Sequence, residues 1–129
     1  MRKFYEKKRW PRKKRSKNAR NMKVAIASAG NTLESKIDSS FGRCAWFIVI
    51  DTEDGGMEFI PNTNRDMEEH AGKAAVELVA SRNVEMIVSG EFGAKIKPLL
   101  DSVHIQMVVI KDFEKRVSDI IALLNNRRK

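Results

Sequence analysis

The chain of 129 residues has one cysteine, two histidines and three prolines, and each scarcity closes off a class of protein. A single thiol, Cys44, excludes an internal disulfide framework and any structural zinc site built from several cysteines of one chain, and it fits a reducing compartment. The longest uninterrupted apolar run, "CAWFIVI" from Cys44 to Ile50, is far short of the roughly 20 residues that span a bilayer. No membrane segment is expected. A basic start leading into "VAIASA" resembles an export signal, but Val24 to Ala27 is too short an apolar core for one, so the expected location is cytoplasmic. No G-x-x-x-x-G-K-[ST] loop is present, and "SAGN" is too short for a dinucleotide fingerprint, so nucleotide binding has little support. The first strand offers Lys23 and apolar residues where a metal-dependent nuclease would need carboxylates. No nucleophile elbow accompanies the serines, which argues against a hydrolytic triad.

Acidic residues are almost absent from one place only. Residues 1–21, "MRKFYEKKRWPRKKRSKNARN", hold eleven of the 25 Lys and Arg but one of the 17 acids, a net +10 that leaves the remainder at −2. Their charges repel and no apolar periodicity runs through them, so this basic tail is expected to be disordered on its own. With Tyr5 and Trp10 interleaved, the tail is the candidate segment for nucleic acid or an acidic protein, bound by counterion release. A merely solvating tail is the competing reading.

From Met22 the character changes. Residues 22–28, "MKVAIAS", and 45–51, "AWFIVID", read as strands buried on both faces, and 56–61, "GMEFIP", forms a hairpin with the second across the "EDGG" turn. A 3.6-residue period then sets in. It predicts a helix over 66–82 carrying Ala71, Ala75, Leu78 and Val79 on one stripe, with Asp66 and Glu69 as a capping pair. Residues 84–89 and 105–110 read as further strands around a short helix over 94–102, in which Pro98 is tolerable only near the start. The last segment places Phe113, Val117, Ile120, Ile121 and Leu124 on one face, with Arg127, Arg128 and Lys129 near the negative helix end. Alternating strands and helices imply a parallel sheet covered by helices, with a domain over 22–126 between the tail and a basic end at 127–129.

The loop of some fifteen residues between the first two strands is far longer than a hairpin needs, and loops of that length commonly bind something. In sheets of this kind ligands sit beyond the carboxyl ends of the parallel strands. The loop leaving Ser28, the "PNTNRDMEEHAG" loop and "SGEFG" are therefore expected to converge on one rim spanning 28–44, 62–72 and 89–95. Two side chains stand out there. Arg43 is placed to lower the pKa of the neighbouring Cys44 thiol and to assist anion binding, against the blander reading of Cys44 as a small buried residue. His70, at the start of the first helix, is a candidate ligand. "GEFGAK", with Gly90 and Gly93, reads either as a turn or as backbone amides offered to an anion. His104, Met86 and Met107 read as structural.

These residues together resemble a known family. "MKVAIAS", "SSFGRCAWFIVID", "HAGKAAVELVASRNVEMIVSGEFGAKIKPLLDS" and "IQMVVI", in this order, are similar to the dinitrogenase iron–molybdenum cofactor biosynthesis family, also called nitrogenase accessory factor-like proteins, over about Met22 to Leu124. The resemblance rests on the opening strand, the "FGR" ending the loop, Gly72 one turn into the helix and the "G-x-x-G" of Gly90 and Gly93. It implies a ribonuclease H-like three-layer α/β/α sandwich with a five-stranded mixed sheet, strand two antiparallel. It also implies a non-enzymatic carrier of an iron–sulfur or iron–molybdenum cluster or its precursor. A preassembled cluster brings its own sulfides and needs one or two protein ligands, for which Cys44 and His70 are the candidates, with Ser28, Arg43, Gly72, Gly90 and Gly93 around them. Cys44 departs from the family pattern, which has a small apolar residue there.

Overall fold

A computed structural model describes the backbone of Lys7–Arg9 and then residues 22–67, 70–112 and 114–127. Strands β1 (Lys7–Arg9), β2 (Lys23–Ser28), β3 (Trp46–Asp51), β4 (Gly56–Pro61), β5 (Met86–Ser89) and β6 (Gln106–Val109) form one sheet in the order β1-β4-β3-β2-β5-β6. Helices α1 (Ala71–Ala80), α2 (Ile96–Ser102) and α3 (Val117–Arg127) complete the chain order β-β-β-β-α-β-α-β-α. The five-stranded mixed sheet is as expected: β2, β5 and β6 run parallel, and β3 is antiparallel to both β2 and β4.

The sixth strand is an addition. Lys7–Arg9 pair antiparallel with β4, Lys7 opposite Glu58 and Arg9 opposite Gly56, so these three residues of the basic tail add an edge strand to the sheet. The rest of residues 1–21, with Tyr5 and Trp10, lies outside the described residues, as do Glu69 and Phe113.

Period-two alternation divides the core into two layers. On β2, Ala25 and Ala27 face a cluster with Phe47, Val49, Ile60, Ala75, Val76, Val79, Ile96 and Leu100, so α1 and α2 cover that face. Val24 and Ile26 face the opposite cluster with Ile48, Phe59, Met86, Val88, Val117, Ile120 and Ile121, beneath α3. Each buried Val, Ile, Leu, Met or Phe among them contributes about 1.5–3 kcal/mol by leaving water, and this fixes the register, because a one-residue slip would exchange the two faces.

The helices are shorter than the polar patterning implies. α1 begins at Ala71, not at 66, because His70 adopts the left-handed conformation (φ 67°, ψ 17°) and breaks the helical run. Upstream, Arg65 N–H donates to the Asn62 carbonyl and Met67 N–H to that of Asn64, so residues 62–67 are turns. Asp66, expected to open the helix as one of a capping pair, lies in these turns; its expected partner, Glu69, lies outside the described residues. α2 begins at Ile96, which leaves Pro98 in the first turn, where its missing N–H has no intrahelical partner to lose. α3 begins at Val117, and its exposed amino-terminal N–H groups are met by a distant loop. Val117 and Ser118 donate to the carbonyls of Ser35 and Leu33, at 2.9 Å each.

Candidate functional site

The register places four loop ends at one end of the sheet. Ser28 closes β2 opposite Trp46, Trp46 lies opposite Pro61, and Ser89 closes β5 one residue beyond Val88, the partner of Ile26. The long first loop, residues 29–45, the loop from Asn62 to His70 and the loop from Gly90 to Lys95 therefore leave or enter on the same side, at the carboxyl ends of the parallel strands.

They also touch. Asp38 N–H donates to the Ala27 carbonyl (2.8 Å) and its carbonyl accepts from Gly90 N–H (2.9 Å), so the long loop fills the crevice between β2 and β5. Phe41 N–H donates to the Glu91 carbonyl (3.1 Å), and the Phe41 ring packs 5.5 Å from those of Phe47 and Phe92. Arg43 Nη1 donates to the Arg65 carbonyl at 2.7 Å. Gly42 lies against the first turn of α1 so tightly that a Cβ on it would stand 3.1 Å from Gly72 Cα. The convergence expected of the three loops is present.

The residues singled out in the sequence divide into two groups. Arg43, His70 and Gly93 are exposed and Gly72 half-buried, on the outer surface of the rim. Ser28, Cys44 and Gly90 are buried beneath it. Ser28 Oγ is spent locally, donating to the Gly30 carbonyl (2.6 Å) and accepting from Gly30 N–H (3.2 Å). Gly90 serves close packing: a Cβ there would lie 2.7 Å from Ser39 Cα. Gly72 does likewise, because a Cβ would collide with the Ile96 side chain, whereas a Cβ on Gly93 would meet Ile96 at an ordinary 3.7 Å.

Cys44 requires correction. Its side chain is fully buried in the cluster beneath α1 and α2. Its thiol pKa is raised, not lowered, by burial first and by the nearby Asp38 carboxylate second. Hydrogen bonds from the Asn62 carboxamide and the Ser28 backbone, and the Arg65 charge, oppose this only in part. The Arg43 guanidinium, expected to activate the thiol, bonds to the Arg65 carbonyl. Burial and the raised pKa both run against the expected activation of Cys44 as an accessible thiolate. It is the small buried residue of the blander reading. His70 stands as the N-cap of α1 without a side-chain cap bond to the helix. Among the described residues no group of three or more His, Cys, Asp or Glu could enclose a metal ion, and no helix is long and apolar enough to cross a membrane.

Sequence reasoning passed over Asn62. Its side chain is 3% exposed, and Nδ2 donates to the carbonyls of Gly42 (3.1 Å) and Cys44 (3.0 Å) while Oδ1 accepts from Asn64 N–H (3.3 Å). The only sequence signal was an Asn directly after a strand and Pro61, which reads as a turn residue.

Among solved structures, the chain is similar to the apo form of the orange protein from Desulfovibrio gigas, at 22% identity over 85% of this chain and 92% of that one, with a TM-score of 0.75. It is similar to a candidate NifB protein from Thermotoga, at 27% identity over 83% and 90%, TM-score 0.70. A candidate dinitrogenase from Methanocaldococcus jannaschii matches at 21% identity over 81% and 91%, TM-score 0.55. No curated protein matches. The family model described as dinitrogenase iron-molybdenum cofactor matches residues 22–127, the whole sheet from β2 onward with its three helices, and the chain belongs to that family.

Proposed function

We propose that the protein is a non-enzymatic carrier of an iron–sulfur or iron–molybdenum type cluster, or its precursor, held on the outer surface of the three-loop rim. The observation that carries this reading is the meeting of Gly42, Arg43, Arg65 and Gly72 where α1 begins, in a chain of this family. The donors available there select the form of the cargo. Guanidinium groups and an imidazole suit an anion whose metals already carry their sulfides, and a bare ion would need the enclosing carboxylates and thiolates of a cage. In this reading Arg43 supplies charge and bidentate donors, His70 supplies one replaceable ligand, and Gly72 and Gly93 keep the backbone low around them. Ser28, Gly90 and Cys44 form the floor, and Cys44 contributes packing.

Anaerobic reconstitution with iron and sulfide, followed by visible absorption, tests the proposal. Wild type and Cys44→Ala should take up colour, and Arg43→Ala and His70→Ala should lose most of it. Identical spectra for wild type and the rim variants would overturn it.

A further inference from the structure

We propose that Asn62 is the positioning residue of this rim: its buried carboxamide ties the end of the long first loop to the loop leading into α1, and thereby sets where Arg43 stands. The proposal rests on the carrier reading for its cargo arm only. A carboxamide nitrogen has two N–H donors, and here one goes to the carbonyl before Arg43 and the other to the carbonyl after it. Both carbonyls lie in irregular backbone outside the sheet ladders. The same residue holds its own loop, accepting from Asn64 N–H through Oδ1 and from Arg65 N–H (3.3 Å) through its backbone carbonyl. Arg43 then closes the circuit by donating to the Arg65 carbonyl. Asn62 N–H meanwhile donates to the Ala45 carbonyl at 3.0 Å, anchoring the group to the entrance of β3.

No other side chain supplies this set. Aspartate has the shape but no donors and would face two carbonyl oxygens with a negative charge. Leucine and alanine would take these donors from the buried Cys44 carbonyl and the half-buried Gly42 carbonyl, and glutamine is a methylene too long. The carboxamide also lies against Cys44 Sγ, at 4.0 Å, so release of Asn62 should expose the thiol. That gives a readout which requires no cargo.

The test is the rate at which N-ethylmaleimide alkylates Cys44 in the folded, full-length chain. Asn62→Ala and Asn62→Asp should react at least tenfold faster than wild type. A control variant elsewhere in the same cluster, Val79→Ala, should change the rate much less when thermal stability is lowered to the same degree. Equal acceleration in the control would reduce Asn62 to an ordinary stabilising contact and overturn the proposal. Should the alanine and aspartate variants not fold, Asn62→Ser, which keeps one donor, should give an intermediate rate, and a wild-type rate there would equally overturn it. The second arm is iron and sulfide uptake by Asn62→Asp, Arg43→Ala and the double variant. Losses that coincide, with the double variant no worse than Arg43→Ala alone, are expected, and multiplicative losses would refute positioning through Arg43. Colourless wild type with accelerated alkylation in the Asn62 variants would instead remove the carrier reading and leave the tie in place.

Discussion

Gly42 and Gly72 face one another without side chains between them, a hypothetical Gly42 Cβ standing 3.1 Å from Gly72 Cα and 3.2 Å from its nitrogen. This contact brings the end of the long loop to the start of α1. The neighbour on the far side is backbone, which cannot rotate away as a side chain can.

Glycine substitutions along the rim should therefore be graded by what they meet. Gly42→Ala and Gly90→Ala press on backbone and should each cost about 1–3 kcal/mol in urea unfolding. Gly93→Ala meets Ile96 at 3.7 Å and should stay within about 0.5 kcal/mol of wild type. Equal costs at Gly90 and Gly93 would show that the packing of Gly90 on Ser39 does not set the loop.

The raised pKa of Cys44 makes a linkage prediction. The folded chain holds the thiol proton more tightly than the unfolded chain, whose cysteine titrates near about 8.5. The associated stability is fully present below that pH and is lost as pH rises through the alkaline range, with a slope approaching about 1.4 kcal/mol per pH unit. Urea unfolding at several pH values between neutral and strongly alkaline should show this decline in wild type, and Cys44→Ala should lack that share of it. Parallel curves would mean that the thiol ionises equally in both states.

His70 occupies a backbone conformation that costs a residue with a Cβ about 1 kcal/mol and costs glycine nothing comparable. His70→Gly relieves that backbone cost but also removes the imidazole's own interactions, so thermal stability should shift by no more than about 1 kcal/mol in either direction, while cluster uptake falls. Destabilisation by more than about 1 kcal/mol would assign the imidazole a structural duty in place of the ligand role.

How far the residues announced all this depends on range. The two-faced runs around Val24–Ala27 and Phe47–Ile50 carry the sheet openly, because burial on both sides leaves no polar member in the pattern. The rim followed from topology, since loops after parallel strands must gather at one end. The burial of Cys44 was not legible, because Asn62 comes to lie against it only once separate loops have packed, and Arg43 beside it in the chain bonds to the Arg65 carbonyl. The true start of α1 was hidden too: residues 66–70, polar except for Met67, are as compatible with a helix as with turns, and only the left-handed His70 separates the two readings. Asn62 gives no periodic signal, and its importance lies in partners about 20 residues away.

The carbonyls of Leu33 and Ser35 that receive Ser118 and Val117 have a consequence for how the molecule is made. On a ribosome the opening wall emerges first, yet the segment that clasps it is about 80 residues behind, roughly 4–16 seconds at ordinary translation speeds. Until the closing helix arrives, the nascent wall lacks that fastening, and the loop must wait for it before taking its final shape.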